Sequence, residues 1–190
     1  MDLEPVYAYV DAHADALLAD LFRLLRQRSI STQDDGVKEC AELLATQMRE
    51  VGIDATVYPT ARHPVVYGEI GPAGAPTILV YGHYDVQPPE PLELWQCDPF
   101  EPVIRDGKIY ARGSSDNKGQ LFAHVKGIQA YRAALGELPL KVKFIFEGEE
   151  EISSPNLEPF VAAHRNLLRC DVCIFSDSHV QENGRPLVVL

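Results

Sequence analysis

Short apolar runs of strand type alternate along this chain with segments of helical periodicity, and that alternation leaves few folds open. Strand-type runs fall at 55–58, 65–69, 77–81, 108–111, 141–146, 172–175 and 187–190. Helical spacing appears across Val6–Arg26 (Val10, Ala14, Leu17, Leu21, Leu24), Asp35–Val51 (Val37, Ala41, Leu44, Met48) and Asn117–Leu135 (Leu121, Val125, Ile128). A further helix is expected over Pro155–Leu168. A stripe of this kind buries one helix face against a sheet. The expected fold is α/β: a three-layer sandwich with a mainly parallel (mixed) sheet flanked by helices. Thr77–Tyr81 carries the apolar run of a strand buried on both faces.

In open sheets of this class, ligands gather beyond the carboxyl ends of the strands. Ile78–Tyr81 ends there in Gly82-His83-Tyr84-Asp85-Val86-Gln87-Pro88-Pro89. On extended chain His83 and Asp85 face the same way. A carboxylate beside an imidazole fixes its tautomer and leaves the other ring nitrogen free for a metal. Alone, the pair reads equally well as two unpartnered loop residues. Three more acidic clusters decide the matter: Arg112-Gly113-Ser114-Ser115-Asp116-Asn117-Lys118-Gly119, Glu147-Gly148-Glu149-Glu150-Glu151 and Ser176-Asp177-Ser178-His179. Each has a plainer reading. Asp116 can be a helix cap, the glutamates a solvated loop, and Asp177 a turn residue. Crowded carboxylates, however, repel one another unless cations neutralise them. One histidine with carboxylates from separate strand ends is the donor set of a metal-dependent hydrolase, with His179 a weaker candidate.

The net charge of −11 argues against nucleic acid and anionic membrane surfaces, both of which demand excess Lys and Arg. The start, Met1-Asp2-Leu3-Glu4-Pro5, has no basic, apolar-core signal, and no apolar run is long enough to cross a bilayer. The expected compartment is the cytoplasm. The four cysteines, Cys40, Cys97, Cys170 and Cys173, are expected to be buried reduced thiols. Residues 87–107, with five prolines and Trp95, form a long irregular loop of the kind that serves function. His13, His124 and His164 fall in helices and His63 in a loop, without a ligand pattern.

The order and spacing of the four clusters resemble the dizinc metallopeptidase family of carnosinases and cytosolic dipeptidases, which also holds acetylornithine deacetylase, succinyl-diaminopimelate desuccinylase, aminoacylase and glutamate carboxypeptidase. The motifs Gly82–Pro88, Asp106–Gly119 and Glu147–Glu151 carry the resemblance, from about Leu21 to the end. Asp85-Val86-Gln87-Pro88 and Trp95…Pro99-Phe100 lean toward the dipeptidase branch.

The resemblance implies a zinc-peptidase-like catalytic domain that hydrolyses dipeptides or short peptides. His83, Asp116, Glu151 and Asp177 would be metal ligands, with Asp116 bridging two zinc ions through a cis peptide to Asn117. Asp85 would orient His83, and Glu150 would be the general base toward a water between the cations. Manganese and cobalt suit the same donors. Members of the family are longer. The chain stops on Pro186-Leu187-Val188-Val189-Leu190, an apolar strand with nothing after it, and reads as a fragment: residues 1–190 would be the N-terminal portion of the catalytic domain. A second ligating histidine and a lid domain, through which the full-length protein would form a homodimer, would lie beyond. Weak activity or none is expected. The alternatives are an N-acyl-amino-acid deacylase and a non-catalytic metal-binding domain.

Overall fold

The computed structural model describes residues 2–178. Five strands form one mixed sheet: β1 (Asp54–Tyr58), β2 (Val65–Ile70), β3 (Thr77–His83), β6 (Lys141–Glu147) and β7 (Val172–Phe175). They lie in the order β1-β2-β6-β3-β7. β1 and β2, and β2 and β6, pair antiparallel, while β3 runs parallel to both β6 and β7. The parallel part positions the site. His83 is in register with Glu147, so two strands end side by side and discharge their loops at one rim. The strand expected at 187–190 lies outside the described residues.

Alternation along the strands sorts the core into two layers. Phe144, Phe146 and Val80 meet Leu44, Ala41 and Met48 of α3 (Val37–Glu50) and Leu121, Phe122 and Val125 of α4 (Lys118–Leu135). Ile145 and Leu79 point the opposite way, toward Phe160 of α5 (Leu157–Ala163) and toward Leu168 beyond its end. The expected three layers are present. β4 (Val103–Arg105) and β5 (Lys108–Tyr110) form a separate antiparallel hairpin around Asp106-Gly107.

Three expectations are corrected. The helix anticipated over 6–26 is two helices, α1 (Glu4–Ala12) and α2 (Ala14–Arg26), separated by His13 at φ −118° and ψ 14°. The His13 ring stacks on Tyr9 at 4.0 Å, with Nδ1 2.8 Å from the Tyr9 carbonyl. Both helices pack against α4, one on each side of the break. α5 stops at Ala163 because His164 folds back: its ring stacks on Phe160 at 4.2 Å and Nδ1 approaches the Phe160 carbonyl. Finally, only Cys40 is buried among the free cysteines. Cys97 and Cys170 are half-buried and Cys173 is exposed, because β7 has no neighbour on its outer side among the described residues.

α4 enters the fold through a buried lysine. The Lys118 ammonium donates to the carbonyls of Leu24 (3.2 Å) and Gln27 (2.6 Å), closing the carboxyl end of α2, whose last carbonyls have no partner within the helix. Burial lowers the Lys118 pKa. Gly119 follows because no side chain fits there: a Cβ would overlap the Ser114 carbonyl oxygen. Lys118→Met is expected to keep the packing but strand two carbonyls, lowering stability in urea unfolding by about 1–3 kcal/mol.

Candidate metal centre

His83 closes β3 with its side chain 1% exposed. On one flank its Nδ1 lies 3.1 Å from the Asp85 carbonyl oxygen and 3.3 Å from Asp85 Oδ1. Nε2 therefore faces the rim, where carboxylates from three other chain segments meet it. Asp116 Oδ1 is at 3.1 Å, Asp177 Oδ2 at 3.4 Å and Glu150 Oε2 at 3.8 Å. Donor atoms of His83, Asp116 and Glu151 all lie within 4.8 Å of one another. Side chains that begin 94 positions apart in the sequence, His83 and Asp177, end in one pocket because β3 and β7 are parallel neighbours.

The backbone explains the convergence. Asp116 sits in the tight Gly113–Asn117 turn before α4 and is joined to Asn117 by a cis peptide bond. Asn117 Oδ1 accepts the His83 backbone N–H at 3.3 Å, tying this turn to the end of β3. Gly82 permits the approach, since a Cβ there would meet Asn117 Oδ1 at 2.8 Å. Asp85, fully buried, accepts the backbone N–H of Glu150 on Oδ1 (3.2 Å) and of Glu151 on Oδ2 (3.1 Å). One carboxylate thus holds the histidine ring and both adjacent glutamates.

The electrostatics are those of a site built for positive charge. Burial works to lower the His83 pKa, but the Asp85 contact and the charges of Asp85, Asp177 and Glu150 outweigh it and raise the value to about 9. Burial raises Glu150; His83 pulls it back, and Asp177, Asp85 and Asp116 push it up again. Glu151 is raised by burial too, against the stabilising bond from Gln87. In this state a proton on His83 occupies the place in the charge balance that a cation would take.

The donor set fits a divalent cation. It offers an imidazole nitrogen with its other face fixed by a carboxylate, plus four carboxylates, the mixture that zinc and its neighbours accept. All six residues anticipated from the sequence, His83, Asp85, Asp116, Glu150, Glu151 and Asp177, gather here. His179 lies outside the described residues. Two contributors carried no chemical signal of their own. Gln87 donates to Glu151 Oε2 at 2.7 Å, and Asn117 holds the β3 end. His124 does not join the donors; its Nε2 lies 2.8 Å from the Ser176 hydroxyl, beside Asp177.

Two outcomes follow for the metal-free chain. His83 is raised above its unfolded value near 6.5, so its contribution to stability is complete below about pH 6.5 and is lost as pH rises through about 9. Urea unfolding at stepped pH in chelator should show that decline. Asp85→Asn should flatten it, because an amide places an N–H against the Glu150 or Glu151 N–H and removes the charge beside His83. The substitution should also cost about 1–3 kcal/mol at pH 6 by the same measurement.

Comparison with known proteins agrees with this geometry. Residues 79–189, more than half of the chain, match the model of peptidase family M20/M25/M40. The Beta-Ala-His dipeptidase of Rattus norvegicus is 32% identical over 97% of this chain and 41% of its own length. The succinyl-diaminopimelate desuccinylase of Thiobacillus denitrificans is 35% identical over 73% of this chain and 34% of its own. Among solved structures, the M20 family metallo-carboxypeptidase of Sulfolobus solfataricus superposes with a TM-score of 0.85 at 40% identity, covering 90% of this chain and 39% of that one. Human carnosine dipeptidase 1 gives 0.84 at 30% identity, covering 93% and 41%. The chain thus spans about two fifths of the length of the relatives it matches. With the family's model covering its four acidic clusters and its fold superposing on a solved M20 structure, this chain belongs to peptidase family M20/M25/M40.

Proposed function

We propose that this site is one face of a two-cation centre that hydrolyses dipeptides or short peptides. The observation that carries the reading is the meeting of His83 Nε2 with Asp116, Glu150 and Asp177 within 3.1–3.8 Å, with Glu151 in the same group. In this reading His83, Asp116 and Asp177 hold one cation, and Asp116 and Glu151 contribute to a second. When bound, such cations acidify a water and polarise the scissile carbonyl. Asp85 keeps the His83 ring turned so that Nε2 faces the cation. Glu150 takes up a proton on its carboxylate and returns it to the departing amine; a pKa raised above the ordinary carboxylate range suits both tasks. Zinc fits the donors best, and manganese and cobalt fit as well.

The names of the relatives support a dipeptide substrate. The desuccinylase relative favours a second reading, an N-acyl-amino-acid deacylase, which needs the same carboxylates and a different acyl pocket. We further propose that residues 1–190 are the N-terminal portion of the catalytic domain. A lid and dimerisation domain and a second ligating histidine would then belong to the remainder, which is consistent with the share of the relatives that is matched. No helix among the described residues is long and apolar enough to cross a membrane; a cytoplasmic protein with no nucleic-acid or membrane partner is the proposal.

Calorimetric titration with zinc, combined with turnover of unmodified dipeptides and N-acyl amino acids, tests this reading. One tight cation is expected, weakened at least about tenfold in His83→Ala, with little turnover of either substrate class. Two tight cations with brisk hydrolysis would sink the partial-site proposal. Zinc affinity indifferent to His83→Ala would sink the metal centre itself.

A further inference from the structure

The first glutamate of the acidic triple has no assigned part in the site, yet it is the most completely bonded of the three. Glu149 is 2% exposed. Its Oε1 accepts the backbone N–H of His63 (2.9 Å) and an Nδ2–H of Asn156 (2.9 Å). Its Oε2 accepts the backbone N–H of Asn156 (3.1 Å) and approaches the same Nδ2 at 2.9 Å. The Glu149 carbonyl accepts the N–H groups of Ile152 (3.0 Å) and Ser154 (2.8 Å). Residues 149–156 are therefore folded back on themselves and pinned to the His63 loop. Ser153 and Ser154 hold φ of 71° and 50° inside this turn. Residues other than glycine stay in that region only where the surroundings over-determine it.

We infer that Glu149 and Asn156 form a clasp that sets where Glu150 and Glu151 stand, making Glu149 a positioning residue; this rests on Glu150 and Glu151 having the roles proposed above. The clasp holds the turn from behind, while Asp85 holds the Glu150 and Glu151 N–H groups from the side of β3. The two carboxylates between which the turn is stretched thus fix its backbone on both flanks. The donor pattern explains why the position is a glutamate. Every group that meets it is an N–H, and only a carboxylate offers acceptors on both oxygens with no hydrogen of its own. A glutamine would set an NH2 against the Asn156 or His63 N–H.

The test compares the full chain with Glu149→Gln, with Asn156→Ala, and with Glu151→Ala. Cobalt(II) alone is the probe, followed by visible absorption, and amide exchange of Glu150 and Glu151 is read by NMR in the metal-free chain. Glu149→Gln is expected to speed exchange of both amides at least tenfold and to weaken the second, looser cobalt about tenfold while the first stays within twofold, with the helical circular dichroism retained. Asn156→Ala removes only the Nδ2–H donor and leaves both backbone N–H bonds to Glu149, so it should speed exchange of the same amides by less than Glu149→Gln does. Amide exchange within twofold of the parent in Glu149→Gln overturns the clasp, as does exchange in Asn156→Ala faster than in Glu149→Gln. Binding of the second cobalt unchanged in Glu151→Ala would instead remove Glu151 as a ligand, and the amide readout would still decide the clasp.

Discussion

Everything at this rim hangs on the buried carboxylate of Asp85. It lies at the end of a β3 strand that must deliver a histidine, and it takes three donors from two chain segments: the His83 ring and the Glu150 and Glu151 amides. A buried carboxylate is costly unless each oxygen is bonded, and removing any donor leaves charge stranded. The cost makes the arrangement specific. The placement of the 147–151 segment that gives Asp85 both amides also puts Glu150 and Glu151 in front of the imidazole.

The sheet makes such a bracket possible. His83 and Glu147 are level because β3 and β6 run parallel, and Phe175 of β7 stands level with Tyr81 two residues before the histidine. Three loops consequently leave the sheet at one height and over one face. The antiparallel pairs at the other side, β1 with β2 and β2 with β6, supply the His63 loop that anchors Glu149. Parallel strands bring the reactive side chains together, and the antiparallel edge holds one of their supports.

Much of this was legible in the residues. Strand-end patterns put His83, the Glu147–Glu151 run and Asp177 at a common rim, because an α/β sheet has one end where its loops gather; Asp116, before a helix, and Glu150, within the run, were singled out by the family resemblance. What stayed hidden was set by tertiary contacts. The break at His13 follows from two dockings on α4, and helical periodicity continues across it unchanged. The exposure of Cys173 depends on what lies beside β7, which its strand-like sequence does not encode. Glu149 looked like one more solvated acid; nothing local shows that His63, 86 positions earlier, supplies its donor. Short β4 escaped because it lies at the end of the proline-rich 87–107 stretch, which reads as one irregular loop.

The charge balance of the pocket completes the argument for a cation. Asp116, Glu150, Glu151 and Asp177 surround a single imidazole whose other face is already committed to Asp85. Protonating His83 satisfies this crowd only in part, and Glu150 and Glu151 remain raised above the ordinary carboxylate range. A fold that merely needed to be stable would gain by replacing some of these carboxylates with amides, since like charges at this spacing repel. Instead the backbone of Glu150 and Glu151 is fixed on the Asp85 side and by the fold-back of Glu149, while Gln87 supports the Glu151 side chain. Fixed ligands lose little freedom when a cation arrives, so the repulsion held in the metal-free pocket becomes part of the affinity for one.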